Sequence, residues 1–174
     1  PRGISLYDYA GNFENFLEEK PDGQPFCFWY GGHEPHRSFE KGSGLASGKQ
    51  LADVEVPGFL PDSDVVRSDI LDYCLEIEWF DRHLGKMIAS LEARGELENT
   101  LIIVTSDNGM AFPRAKANVY EYGIHMPLAI RYVPVVPGGR VVNDVVSLTD
   151  LAPTILEMSG VDQPITGGSG SPIT

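Results

Sequence analysis

The chain has 174 residues, 42% of them hydrophobic and 22% charged, which is the composition of one globular domain rather than of a disordered or fibrous chain. Thirteen Lys and Arg against 25 Asp and Glu leave a formal charge of −12. That balance argues against a nucleic-acid binder, which needs clustered cations, and against a basic membrane-surface module. No apolar run reaches the ~18 residues of a membrane span. No basic-then-apolar signal segment opens the chain, and residue 1 is Pro rather than Met, so the sequence reads as a fragment or a processed chain.

In chain order, Tyr9, Phe13, Phe16 and Leu17 recur at helical spacing and predict an amphipathic helix over 8–19, ended by Pro21-Asp22-Gly23. Residues 25–31 are an apolar, aromatic run between Pro25 and Gly31-Gly32 and predict a buried strand leading into a loop. Residues 32–63 are rich in Gly, Pro, Ser and charge and read as a long surface excursion of the kind that is often functional. The strongest periodicity follows. Ile70, Cys74, Ile77, Leu84, Ile88 and Leu91, widened by Tyr73, Phe80 and Met87, predict a long helix over 64–95. Asp62-Ser63-Asp64 offers its N-cap and Gly95 its C-cap. Residues 100–105 read as a central parallel strand, apolar on both faces, and 127–132 and 141–147 as two more. A last helix over 151–159 starts after Thr149-Asp150, with Asp150 as its N-cap. The Gly/Ser/Pro-rich residues 163–174 read as a tail. Alternating strands and helices predict an α/β fold with a mainly parallel sheet flanked by helices. Cys27 and Cys74 both sit in apolar surroundings and read as two buried free thiols.

Ligands of open α/β sheets gather beyond the carboxyl ends of the strands, and two such ends are polar here. Tyr30-Gly31-Gly32-His33-Glu34-Pro35-His36-Arg37 puts two His, one Glu and one Arg into a Gly-containing turn. Ser106-Asp107-Asn108-Gly109 offers a carboxylate beside an amide oxygen, a pair suited to a hard cation such as Ca²⁺ or Mg²⁺ rather than Zn²⁺. Taken singly, each stretch reads more readily as an ordinary turn or surface loop than as a site.

The order of these motifs is more specific than any one of them. Asp107-Asn108-Gly109 is followed by Lys116, then by Tyr120-Glu121-Tyr122-Gly123-Ile124-His125-Met126-Pro127 and a strand, and finally by Ser147-Leu148-Thr149-Asp150-Leu151-Ala152-Pro153-Thr154. With the Pro35-His36 pair upstream, this succession resembles the sulfatase family of the alkaline-phosphatase-like superfamily over about residues 20–160. His33-Glu34-Pro35-His36-Arg37 looks most like the heparan N-sulfatase (sulfamidase) branch. The resemblance implies that residues 1–162 are part of an alkaline-phosphatase-like sulfatase domain that hydrolyses sulfate esters or sulfamates on a sulfated carbohydrate. It implies Asp107 and Asn108 as two ligands of a single Ca²⁺. His36 would be the hydrogen-bond donor or leaving-group acid at the sulfate, and Lys116 the cation that offsets its charge. His33, Arg37 and His125 would be substrate contacts. A periplasmic, secreted or lysosomal compartment follows from the same resemblance, with no nucleic-acid or membrane-spanning role; the oligomeric state is not specified.

The sequence also departs from the family pattern. The formylglycine nucleophile of sulfatases is made from Cys or Ser in a Cys/Ser-x-Pro-x-Arg motif. Neither Cys27 nor Cys74 has that context, Ser171-Pro172 fails it, and no Asp-Asp pair occurs to complete a calcium shell. The expectation is therefore an internal piece of a sulfatase, with the formylglycine and further Ca²⁺ ligands upstream, and a 174-residue chain that is inactive alone. Two other readings stand beside it. One is a phosphodiesterase or phosphonate hydrolase of the same superfamily, whose two-metal site would favour Asp-His at 107–108. The other is a noncatalytic binding module on this fold.

Overall fold

Asp8 accepts the backbone N–H of Gly11 at 3.0 Å and so caps the first helix, α1 (Tyr9–Glu19), in the computed structural model, which describes residues 3–161, 170, 172 and 173. The described chain forms two compact units: Pro1–Glu98 with Val104–Ala129, and Asn99–Ile103 with Ile130–Thr174. In chain order the elements are α1, α2 (Ser43–Ala46), α3 (Asp64–Ala93), β1 (Ile102–Thr105), α4 (Glu121–Ile124), β2 (Leu128–Arg131) and α5 (Leu151–Met158). Short 3₁₀ turns lie at Leu51–Asp53, Leu97–Asn99 and Leu148–Asp150. No helix among the described residues is long and apolar enough to cross a membrane.

The first unit is built on α3. Ser63 caps its start by accepting the Val66 N–H, and Asp64 places a carboxylate in the first turn, where the helix dipole favours it. At the far end Gly95 takes φ +69°. Its N–H reaches Glu92 O, and the Glu96 N–H reaches Leu91 O, the paired bonds of a Schellman stop. Helix α1 lies on α3 with Ala10, Phe13 and Leu17 buried. The close approach of α2 depends on Gly44, where a Cβ would sit 2.5 Å from the Leu71 carbonyl carbon.

The buried face of α3 differs from the apolar stripe. Met87 and Leu91 are buried as expected, but the other buried positions are Leu71, Asp72, Glu76 and His83. Ile77 is exposed, and Ile70, Cys74, Leu84 and Ile88 are only half-buried. For Asp72 and His83 the reason is polar. Asp72 accepts the N–H groups of Gly42 and Gly44 at 2.8 Å each, and His83 Nδ1 accepts the Ala10 N–H at 3.2 Å. Neighbouring backbone donors demand acceptors on that face, and hydrophobic periodicity is blind to that demand.

Three further expectations are corrected. Residues 25–31 form no strand. Phe26, Phe28 and Tyr30 are half-buried and alternate with the exposed Cys27 and Trp29, so the run is covered on one side only. Phe28 meets Phe13 edge-on at 4.7 Å and Tyr30 stacks on Phe80 at 4.5 Å, so aromatic packing rather than a ladder holds it. Residues 141–147 are not a strand either. Val141 and Val145 are 85% and 101% exposed, and β-branched residues favour strands only where a neighbour and a face to bury exist. Cys27 is exposed and Cys74 half-buried, both free, so the two thiols are not both in a core.

The sheet among the described residues has two strands, β1 beside β2, so what these residues show of the fold is α/β with a two-stranded sheet. In the second unit the Ser147 hydroxyl and the Asp150 carboxylate form a capping box around the Leu148–Asp150 turn. Asp150 thus caps that turn and makes no side-chain cap to α5. The buried Thr154 hydroxyl donates to Asp150 O at 2.6 Å and accepts the Ile173 N–H at 2.9 Å. Most of the tail 163–174 lies outside the described residues.

Candidate functional site

The 33–37 and 106–125 segments both belong to the first unit. Arg37 joins them. Its Nε donates to Ala111 O at 3.0 Å, and its two terminal nitrogens donate to the Asp69 carboxylate of α3 at 3.0 and 2.7 Å. The guanidinium lies over the rings of Phe39 and Phe112 at 4.5 and 4.8 Å. The planar five-donor fork suits this clamp as an ammonium would not. Three of its N–H groups are committed here, leaving two.

The two His of the first segment stay at the surface, with ring centroids 5.3 Å apart. The His36 N–H closes a turn onto His33 O at 2.9 Å. His36 Nδ1 lies 2.5 Å from Arg37 O. A carbonyl only accepts, so Nδ1 carries its proton and Nε2 is the ring atom left for a ligand. Beneath them Glu34 is buried, and its carboxylate accepts the Ser5 N–H at 2.6 Å and the Tyr9 hydroxyl at 3.1 Å. Burial pushes the Glu34 carboxyl up. The hydrogen bonds from Ser5, from its own backbone and from Tyr9 outweigh burial and hold it below the ordinary carboxylate value.

Glu76 on α3 is equally buried at 3% exposure, with no hydrogen-bond partner among the described residues. Burial, then the Glu34 and Asp72 carboxylates, push it up to about 7. Glu34 was read as part of the polar turn without a role of its own, and Asp69 and Glu76 were not singled out from the sequence. Carboxylates that interrupt the apolar pattern of α3 are the signal that could have found those two, while nothing in the sequence marks the Tyr9 hydroxyl.

In the second segment Asp107 is exposed and Asn108 half-buried, and the Asn108 amide N–H donates to Gly109 O at 2.9 Å, a bond that does not use the amide oxygen. The Ser106 hydroxyl donates to Asn108 O at 2.9 Å. Gly109 permits the next turn to close in: a Cβ there would lie 2.0 Å from Tyr122 O. Gly123 does the same, its Cβ position falling 2.2 Å from Asn118 O and 2.5 Å from Ala115 O. The Asp-Asn-Gly and Tyr-Glu-x-Gly motifs, distant in sequence, are therefore one interlocked backbone unit.

Lys116 projects from this unit. Its N–H bonds to Met110 O at 3.0 Å, Arg114 and Ala117 on either side take φ +63° and +61°, and its ammonium has no ion pair among the described residues. His125 pairs with Glu121 at 2.5 Å and is exposed. Two hard oxygen donors, Asp107 and Asn108, fit a share of a Ca²⁺ shell but not the whole of the 6–8 ligands that ion takes. No group of three or more His, Cys, Asp or Glu able to hold a metal occurs among the described residues.

Comparison with known proteins covers both segments. The sulfatase family model matches residues 5–161. Human N-sulphoglucosamine sulphohydrolase is 31% identical over 172 residues, covering 86% of this chain and 34% of that protein. N-acetylglucosamine-6-O-sulfatase of Bacteroides thetaiotaomicron is 35% identical over 108 residues, covering 59% of this chain and 19% of that protein. The structure of yidJ from Bacteroides fragilis, a protein assigned to the sulfatases, superposes on 92% of this chain and 38% of its own, with TM-score 0.71 and 21% identity; it shows the fold. The chain thus spans about a third of the length of its first curated relative. With a family match over nearly its whole length, both segments included, the chain belongs to the sulfatase family.

Proposed function

We propose that the complete protein hydrolyses a sulfamate or sulfate ester on a sulfated glucosamine-type sugar. The observation that carries this reading is the family match over 5–161, which runs through both site segments. Relatives with the printed activities N-sulphoglucosamine sulphohydrolase and N-acetylglucosamine-6-O-sulfatase supply the substrate class. In the complete domain β1 and β2 belong to a mainly parallel sheet, and the compartment is periplasmic, secreted or lysosomal.

In this reading Asp107 and Asn108 hold part of a Ca²⁺ site, and the bound ion would supply Lewis-acid polarisation of a sulfuryl oxygen. Lys116 neutralises charge on the same oxygens as it builds in the transition state. His36, its Nδ1–H fixed on Arg37 O, presents Nε2 to the leaving atom. When the S–N or S–O bond breaks, the electron pair stays on nitrogen or oxygen and the imidazolium Nε2 gives that atom its proton. His33 and His125 contact the sugar. Arg37 ties the two segments and offers its two remaining N–H groups. The nucleophile, a formylglycine by family expectation, comes from sequence outside these 174 residues, so this chain alone is inactive. Asn108, where a two-metal phosphodiesterase would favour His, weighs against phosphoryl substrates.

The test is release of sulfate from glucosamine carrying N- or 6-O-sulfate, and of phosphate from a matched diester, by the complete protein and by this chain side by side. Sulfate release by the complete protein alone is expected. Phosphate release instead favours the superfamily alternative, and release of neither favours a binding module.

A further inference from the structure

We propose that Tyr9 and Glu34 are positioning residues for His36, holding the His33–His36 turn through a hydrogen-bond relay anchored on α1; the proposal rests on the role given to His36 above. The Tyr9 hydroxyl has three partners: it lies 3.0 Å from the His33 backbone nitrogen, 3.1 Å from Glu34 Oε2 and 3.2 Å from Ser5 Oγ. A hydroxyl has one proton and two lone pairs. The carboxylate can only accept, so Tyr9 donates to Glu34. The His33 N–H and the Ser5 hydroxyl then fill its two lone pairs.

The second oxygen of Glu34 is occupied by the Ser5 N–H. The Tyr9 ring cannot drift, because it packs on Tyr30 at 5.3 Å and edge-on to His83 at 5.4 Å. His83 in turn is buried and accepts the Ala10 N–H. The relay therefore runs from the first turn of α1 through one hydroxyl to the His33 backbone, and from the His33 carbonyl to the His36 N–H. A carboxylate buried to 4% exposure is a costly way to brace a loop when apolar packing would serve. It is well suited to fixing one register of the turn, because its hydrogen bonds are directional.

The experiment uses the complete protein. Tyr9→Phe keeps the ring and removes only the hydroxyl, and Glu34→Gln keeps the shape and removes the charge. Ser90→Ala is the control, since it cuts the α1–α3 bond from Ser90 to Glu14 and leaves the relay alone. With a glucosamine N-sulfate substrate, Tyr9→Phe is expected to lower kcat about tenfold or more while KM changes less than about twofold, as misplacement of a reacting group does. Glu34→Gln should lower kcat in the same way, and Ser90→Ala should change neither. In a His36→Ala background the Tyr9→Phe loss should vanish, because it acts through His36. The same loss in both backgrounds would show a general structural role and overturn the proposal. If the wild-type protein releases no sulfate, the functional reading has failed, and histidine-ring NMR then judges the relay by itself. Tyr9→Phe should displace the His36 ring signals and Ser90→Ala should not; unmoved His36 signals would overturn the relay.

Discussion

The two halves of the candidate site are held by opposite means. His33–Arg37 is fixed by side chains: Glu34 and Tyr9 from below, and the Arg37–Asp69 pair from the side. Residues 106–125 are fixed by backbone packed on backbone, where Gly109 and Gly123 leave no room for a methyl group. The first half can be loosened by removing a polar group and the second by adding a carbon. The difference explains why one motif is spelled in charged and aromatic residues and the other in glycines.

The largest expected effect lies in the glycine half. Gly109→Ala must displace Tyr122 O from 2.0 Å and should destabilise the protein by about 3 kcal/mol, the upper range of overpacking, read as a lower melting temperature with early proteolysis within 106–125. Equal melting would mean the segments are not interlocked.

The next effect concerns the carboxylates under the other half. Glu76 is raised to about 7 in the fold, so between the usual carboxylate range and about pH 7 the folded state keeps a proton that the unfolded chain has released. Stability should fall as pH rises through that window and level off above it. Glu34 is lowered and has the opposite sign: its contribution is lost only as pH falls below the ordinary carboxylate range. Melts of the wild type and of a Glu76 variant, compared between pH 5 and 8, therefore read Glu76 by difference, since the histidines are common to both. Glu76→Gln should flatten the slope and exceed the wild type at pH 8 by about 2 kcal/mol.

Smaller again, Asp69→Ala strips two of the three hydrogen bonds from Arg37. Both partners are more than a third exposed, so the cost should be about 1 kcal/mol, with sulfate release by the complete protein falling more than stability does. The smallest effect is a control of opposite sign. Gly85, within α3, has nothing within 4 Å of its Cβ position, and Gly85→Ala should stabilise by about 0.5–1 kcal/mol through helix propensity.

Much of the scaffold was legible from local chemistry. Ser63 and Gly95 mark the ends of α3 because capping is a property of a few adjacent residues. The apolar runs misled. At 25–31 an aromatic run reads the same whether it joins a ladder or lies on α1 through Phe13 and Phe16. At 141–147 the valines supply strand propensity without a partner. The site segments were legible as motifs. What ties them was not, since Arg37, read as a substrate contact, meets Ala111, 74 residues away, and Tyr9, read as core, serves Glu34.

The central claim is that Asp107 and Lys116 act on one sulfate in a Ca²⁺-dependent site. Sulfate release from glucosamine N-sulfate by the complete protein, measured with and without a calcium chelator, tests it most directly. The account predicts activity that the chelator abolishes and added Ca²⁺ restores. Asp107→Ala should be inactive at any Ca²⁺ concentration, and Lys116→Ala should keep its Ca²⁺ response with kcat lowered by about a hundredfold. Full activity in Asp107→Ala, or wild-type turnover indifferent to the chelator, would contradict it.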